Sequence, residues 1–143
     1  MNSNLEPGGY VEIQEINVFV TSDDGTLKPS HALYRDAELL QEASEKLGRP
    51  YFNPSNLKSV LEQAGFEGVT EINFKWPSNP WPKDPKHKEL GLWNNENANF
   101  FLEAVAIAPL TRALGWSKEE VTVFIAQARK EVNDKRIHAY WPM

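Results

Sequence analysis

The sequence contains no cysteine, which excludes disulfide bonds, thiolate metal sites and a cysteine nucleophile. It is also short of basic charge, since 15 Lys and Arg stand against 20 Asp and Glu and leave a net charge of −5. This sign disfavours a protein that neutralises phosphates, so we expect no nucleic-acid partner. No run reaches the roughly 20 apolar residues of a membrane span, and the first residues do not resemble a secretory leader. We therefore expect no membrane partner and a soluble protein of the cytoplasm or nucleus.

The composition is otherwise that of a folded protein. With 143 residues, 41% of them hydrophobic and 24% charged, the chain fits one domain covering residues 1–143 with a packed core. Three scattered histidines without metal-ligand spacing give no support for a metal site.

Alternation of apolar and polar residues predicts two strands, over residues 10–20 and 69–76. In the first, Val11 and Ile13 alternate with polar neighbours, and the apolar phase changes near residues 14–17, which predicts a bulge or the end of the strand there. Residues 22–26 read as a polar turn.

Helical periodicity and capping residues predict that the rest of the chain is predominantly helical. A strand followed by helices, a strand and more helices is part of an α/β pattern, and two strands alone make a marginal sheet. The sequence thus resembles part of a larger fold. The predicted helices follow Ser30, Pro54, Asp84 and Ser117, and Pro109 is expected to break or kink the third of them.

Five blocks of the sequence, in this order and spacing, resemble the carboxy-terminal half of fungal LaeA-like methyltransferases. They are Glu6–Glu15, Ser22–Thr26, Leu57–Glu71, Trp81–Asn94 and Leu110–Pro142.

The resemblance implies an incomplete class I, Rossmann-like fold, with the two predicted strands as its fifth and sixth and residues 80–134 as a helical cap on the substrate side. It implies S-adenosylmethionine as the cofactor. We expect no cofactor-binding residues in this chain, because a nucleotide site needs a glycine-rich turn from strand to helix and Gly8-Gly9 precede a strand instead. The family also continues into a final strand, which we expect to be missing.

Two pairs of residues are candidates for the substrate site. Gln14 and Glu15 are predicted at the carboxyl end of the first strand, where α/β sheets bind ligands, so Gln14 could contact substrate and Glu15 could act as a general base. They also fit the solvated side of a half-covered strand. Trp93 and Phe100 share one helical stripe and could line an apolar substrate pocket, although aromatic residues at this spacing also form cores.

His138 lies in an apolar, aromatic tail and is the second candidate catalytic base. The alternative is a hydrogen-bonded core histidine.

Four functions remain open. The resemblance favours an S-adenosylmethionine-dependent methyltransferase of fungal secondary metabolism, which acts on a small molecule. The alternatives are an interaction subunit whose open strand edges are completed by another chain or a second copy, a small-molecule cyclase that uses a pocket around Trp93, and a truncated, inactive homologue. The sequence leaves the methyl acceptor, the pathway and the oligomeric state undetermined.

Overall fold

A computed structural model describes residues 5–52 and 54–143. Residues 1–4 lie outside the described residues. The sequence argument against a secretory leader rests partly on them. The elements, in chain order, are α1 (Ala32–Lys46), a short 3₁₀ turn (Pro54–Asn56), α2 (Leu57–Gln63), β1 (Lys75–Pro77), α3 (Pro85–Leu114), α4 (Lys118–Val132) and β2 (Tyr140–Pro142). None of the helices found in these ranges has the length and apolar character that crossing a membrane requires.

The fold is mostly helical, with β1 and β2 paired antiparallel. The core lies where α1, α3 and α4 pack against one another and against the sheet. Its fully buried members on α3 and α4 recur every three or four residues, as one face of a helix does. They are Ala98, Leu102, Ala106 and Leu110 on α3 and Val121, Ile125, Ala128 and Val132 on α4.

β2 lies between two other segments. On one side it pairs with β1, with Trp76 opposite Trp141, and on the other side Tyr140 exchanges backbone hydrogen bonds with Thr21. Residues 140–142 thus form a strand that the sequence did not predict, since only residues 10–20 and 69–76 were expected to be strands.

The two predicted strands were only partly right. Residues 10–20 form no strand, because only Asn17 and Thr21 have backbone partners on β2 and the Asn17 side chain accepts from the amide of Phe19 in a turn that interrupts the pairing. Residues 69–76 contribute only Lys75 and Trp76 to β1, because the amides of residues 69–73 find no acceptor among the described residues.

The helix ends follow the local sequence signals in most places. Asp84 caps α3, Gly115 ends it in the left-handed conformation at φ 73°, and Ser117 and Glu120 form the predicted capping box of α4. Ser30 does not cap α1. The N-cap is His31, whose side chain accepts from the amide of Lys28 and makes no capping hydrogen bond to the helix.

A side chain from α4 replaces the missing cap of α1. The buried carboxylate of Glu131 accepts the amide of Leu33, in the first turn of α1, at 2.8 Å. A tertiary contact thus stabilises the start of α1.

Pro109 does not break the third helix, which continues to Leu114. Leu110, the next residue, is fully buried, so packing holds this turn in place despite the amide that proline lacks. Of the predicted break or kink, the break is therefore wrong and the kink remains a prediction.

Candidate functional site

Three loops meet at one edge of the sheet. Residues 22–26 follow the segment that pairs with β2, residues 78–82 follow β1, and residues 137–139 precede β2. Because β2 is antiparallel to both neighbours, its amino end lies beside their carboxyl ends. This is the edge at which α/β sheets bind ligands.

The first loop is shaped by its own polar side chains. The carboxylate of Asp24 accepts from the amide of Thr26 at 3.1 Å and from its hydroxyl at 2.8 Å, while Gly25 takes the left-handed conformation at φ 69°. The hydroxyl of Ser22 accepts from the amide of Leu27 at 3.1 Å. The predicted polar turn is confirmed, and it presents the second carboxylate oxygen of Asp24 to the neighbouring loop.

That oxygen meets the ring of His138, whose Nδ1 lies 2.5 Å from it. The backbone amide of His138 donates to the Thr26 hydroxyl at 2.8 Å, and the imidazole stacks on Trp81 with ring centroids 4.8 Å apart. Side chains of His138 and Asp24 are 39% and 46% exposed, so the pair is fixed in place and still open to a ligand.

Trp81 is itself anchored from two sides. Its indole nitrogen donates to the carbonyl of Ala139 at 2.9 Å, and its backbone amide donates to the carbonyl of Asn79. Asn79 is buried, and its side-chain amide donates to the carbonyls of Val132, the last residue of α4, and of Asp134 just beyond it. The stacking partner of His138 therefore rests on the helical core.

A second ionic cluster joins the same loops. Asp23 accepts from the phenol of Tyr140 at 2.7 Å and from the ammonium of Lys75 at 2.5 Å. The Lys75 ammonium also lies 4.9 Å from the centroid of the Tyr140 ring. This cluster links the 22–26 loop to both strands.

The electrostatics keep both aspartates ionised. Hydrogen bonds from the hydroxyl and amide of Thr26, and then from His138, lower the pKa of Asp24 to about 2. The ammonium of Lys75 and the phenol of Tyr140 lower the pKa of Asp23, while burial and the nearby Asp23 raise the pKa of Tyr140.

Gln14 and Glu15 lie away from this cluster. Both are exposed, Gln14 bonds to the side chain of Glu12, and Glu15 accepts the amide of Ile16. They line a groove of about 1350 Å³ to which His138 does not contribute. The segment that contains Gln14 and Glu15 continues to Thr21, where it pairs with β2. Glu15 therefore does not lie at the carboxyl end of the segment, and the structure does not bring Glu15 and His138 together.

Trp93 and Phe100 lie on the outer face of α3, where they are 71% and 78% exposed. Neither lines the 1350 Å³ groove. Their proposed contact with a substrate remains a prediction.

Sequence reasoning missed Asp24 and Trp81 as partners of His138. They lie 114 and 57 positions away in the chain, and no local pattern connects them. The one available signal was the Asp-Asp-Gly-Thr turn directly after the first predicted strand.

Curated relatives match almost the whole chain. It is 40% identical over 141 residues to the probable methyltransferase tdiE of Emericella nidulans, a match that covers 99% of the chain and 44% of the relative. The secondary metabolism regulator LAE1 of Cochliobolus heterostrophus is 34% identical over 140 residues, with 96% and 46% covered. The protein-methionine methyltransferase laeA of Chaetomium globosum is 34% identical over 133 residues, with 92% and 42% covered.

No protein-family model and no solved structure matched the chain. The chain spans less than half the length of the relatives above. It corresponds, over nearly all of its residues, to the carboxy-terminal part of a LaeA-like methyltransferase.

Proposed function

We propose that this chain forms the acceptor side of a methyltransferase of secondary metabolism, in which His138 removes a proton from the group that is methylated. The carrying observation is the arrangement of the imidazole. Its Nδ1 is bound to Asp24 and its face lies on Trp81, while Nε2 makes no hydrogen bond to any described residue.

The ionised Asp24 decides which ring nitrogen is the base. A carboxylate can only accept hydrogen bonds, so Nδ1 of His138 carries the hydrogen and Nε2 keeps its lone pair. The lone pair can take a proton from a hydroxyl or an N–H group, whose own electron pair is thereby freed for bond formation. The positive charge left on the imidazole is stabilised by Asp24.

A base of this kind favours an acceptor with an O–H or N–H group. A second candidate for the methyl acceptor is a methionine side chain, because the Chaetomium globosum relative is named a protein-methionine methyltransferase. A thioether sulfur has no proton to lose, so a methionine acceptor makes His138 dispensable for the chemistry.

The cofactor of such enzymes supplies the methyl group, and the described residues do not fit its binding. A nucleotide site needs a glycine turn that joins a strand to a helix. In residues 5–52 and 54–143 the four helices instead follow His31, Asn56, Asp84 and Ser117. We propose that S-adenosylmethionine is held by a part of the fold other than these residues.

We also propose that the sheet belongs to the class I arrangement. The support is the position of β2, which runs antiparallel between β1 and the segment around Thr21. The helices of residues 80–134 would then lie on the substrate side, as the resemblance implies.

The test of the base uses a chimaera in which residues 1–143 replace the matched part of the Emericella nidulans relative. With an O–H or N–H acceptor, His138→Gln should lower the rate of methyl transfer about 100-fold or more, and Asp24→Asn should lower it less. His87→Gln is the matched control, because His87 is exposed and bonds only to its helix cap Asp84. An unchanged rate in His138→Gln would contradict the proposal and favour the methionine acceptor.

Two measurements on the isolated chain need no activity. Nitrogen-15 NMR of the His138 ring should show a hydrogen on Nδ1 at neutral pH, and Asp24→Asn should remove this preference. Calorimetry with S-adenosylmethionine should show no stoichiometric binding, and micromolar binding would contradict the proposed location of its site.

A further inference from the structure

Thr26 is hydrogen-bonded to both members of the His138–Asp24 pair. Its hydroxyl donates to Oδ1 of Asp24 at 2.8 Å and accepts from the backbone amide of His138 at 2.8 Å. Its own backbone amide donates to the same Oδ1 at 3.1 Å. In the described part of the chain no other residue bonds to both, so Thr26 alone connects the carboxylate to the backbone of the imidazole residue.

The chemistry of the partners fixes the direction of these bonds. A backbone amide can only donate, and the ionised carboxylate of Asp24 can only accept. The single hydroxyl hydrogen of Thr26 must therefore point to Asp24, while a lone pair of the hydroxyl oxygen takes the amide of His138. The bonds form a closed circuit that leads from the backbone of His138 through Thr26 and Asp24 to the ring of His138 itself.

The circuit divides the two oxygens of Asp24 between its partners. Oδ1 takes both hydrogen bonds of Thr26, and Oδ2 lies against Nδ1 of the His138 ring. Because two donors hold Oδ1, the carboxylate cannot rotate Oδ2 away from the ring without breaking bonds to Thr26. The position of Oδ2 therefore depends on Thr26.

Stacking on Trp81 does not replace this constraint. The indole covers one face of the imidazole, with ring centroids 4.8 Å apart and an interplanar angle of 27°. A half-turn of the ring about its Cβ–Cγ bond keeps this contact and places a carbon atom, instead of Nδ1, opposite Asp24. Only the bond to Oδ2 distinguishes the two ring orientations, and that bond needs Asp24 in place.

Other residues attach the loop around Thr26 to the rest of the fold. Asp23 accepts from the phenol of Tyr140 on β2. Ser22 accepts from the amide of Leu27 at the far end of the loop. Neither bond involves Thr26, so the loop keeps these anchors when the Thr26 hydroxyl is removed. The bonds of that hydroxyl thus act on the His138–Asp24 pair more than on the loop as a whole.

We propose that Thr26 is a positioning residue of the base, whose hydroxyl holds Asp24 and the backbone of His138 so that Nε2 points to the group that is methylated. This inference rests on the proposed role of His138. Thr26 acts through these two residues and does not itself contact the substrate, so it contributes to the chemical step. Loss of the hydroxyl should lower kcat and leave KM nearly unchanged.

The first test observes the ring in the whole chain and needs no activity. Thr26→Val keeps the shape of the side chain without its hydroxyl, and Thr26→Ser keeps the hydroxyl. In nitrogen-15 NMR the ratio of the Nδ1–H to the Nε2–H tautomer of His138 should be about fivefold lower in Thr26→Val and within about twofold of the wild type in Thr26→Ser.

A purely electrostatic role of the hydroxyl predicts the opposite sign. A carboxylate that loses a donor becomes a stronger acceptor for the ring, which would raise the tautomer ratio in Thr26→Val. An unchanged or raised ratio would therefore overturn the proposal.

The second test measures both kinetic constants in the chimaera with the Emericella nidulans relative. Thr26→Val should lower kcat about tenfold and keep KM within about twofold, and Thr26→Ser should recover kcat to within about threefold of the wild type. Ser22→Ala is the matched control, because it removes a hydroxyl of the same loop that bonds to neither Asp24 nor His138. Its kcat should stay within about twofold of the wild type.

The outcomes separate this inference from the proposed function. An unchanged rate in His138→Gln contradicts the base itself, and with it the ground for the inference. A large effect of His138→Gln together with an unchanged kcat in Thr26→Val overturns the role of Thr26 alone. Equal losses of kcat and of thermal stability in Thr26→Val and Ser22→Ala would show that the hydroxyl only stabilises the loop, which also overturns the proposal.

Discussion

A methyl group at position 91 does not fit between α3 and the loop that carries Trp81. Built on Gly91, a Cβ would lie 2.3 Å from the carbonyl oxygen of Asn79, 2.8 Å from its carbonyl carbon and 3.2 Å from the Cα of Pro80. All three are backbone atoms, so no rotation of a side chain relieves the clash. In Gly91→Ala the loop must move away from the helix.

The magnitude follows from two opposing effects. Alanine favours the helical conformation over glycine by about 1 kcal/mol, which stabilises the variant. Overpacking of a buried contact costs about 3 kcal/mol at the upper end of its usual range, and a clash with backbone belongs there. We expect Gly91→Ala to lose about 2 kcal/mol of unfolding free energy, or about 4–8 °C in Tm for a chain of this size.

Urea and thermal denaturation measure this loss directly. Glu96→Ala on the exposed side of α3 is the matched control and should stay within about 0.5 kcal/mol of the wild type. Because Asn79 accepts the amide of Trp81, Gly91→Ala should also disturb the stacking on His138, seen as altered ring chemical shifts. A variant as stable as the wild type, with unchanged shifts, would refute the packing argument.

Three further predictions concern charged groups. Burial raises the pKa of Asp36 to about 7, so the folded chain binds more protons than the unfolded chain above about pH 4 and loses stability as the pH rises to 7. Asp36→Asn should remove this loss, so that at pH 8 the variant is up to about 4 kcal/mol more stable than the wild type in urea denaturation. Equal stability of the two proteins at pH 8 would contradict this prediction. Glu131→Ala should cost about 1–3 kcal/mol, because the amide of Leu33 loses its acceptor, while Lys130→Ala on the exposed face should have little effect. The lowered pKa of Asp24 predicts a contribution to folding stability that is present above about pH 4 and lost as the pH falls towards 2. Asp24→Asn should make the stability depend less on pH in this range, as measured by circular dichroism during unfolding.

The helices were predictable because their signals are local. The capping box at Ser117, the aspartate before Pro85 and the glycine at position 115 each determine a helix end through contacts within a few residues. The start of α1 was not predictable in the same way, since its acceptor, Glu131, is 98 residues from Leu33.

The strands were less predictable because a strand exists only where it has a partner. Residues 10–16 alternate as a strand does, yet their pairing requires a neighbour that no described residue supplies. β2 is the converse case. Its three residues include a proline and do not alternate between apolar and polar, yet they form a strand because partners pair with them on both sides.

The face that α3 buries is not the stripe on which Trp93 and Phe100 lie. The stripe of Trp93 and Phe100 is outside, and the buried stripe begins with Gly91 and Asn94. Small residues allow close approach to the loop after β1, and the Asn94 amide donates to the carbonyl of Pro77 at 2.9 Å. The pattern of hydrophobic residues does not reveal these contacts, so the sequence alone did not predict which face of α3 is buried.

The position of β2 has a consequence for synthesis of the protein. Tyr140 must insert between Thr21 and Pro77, and both of these residues leave the ribosome earlier than Tyr140 does. The segments around Thr21 and Pro77 therefore remain without their partner in the sheet until residue 140 has been synthesised, since contacts this distant in sequence form late. Ribosome-bound chains stalled before residue 140 should accordingly remain sensitive to protease, and chains in which residues 140–142 have emerged should be more resistant.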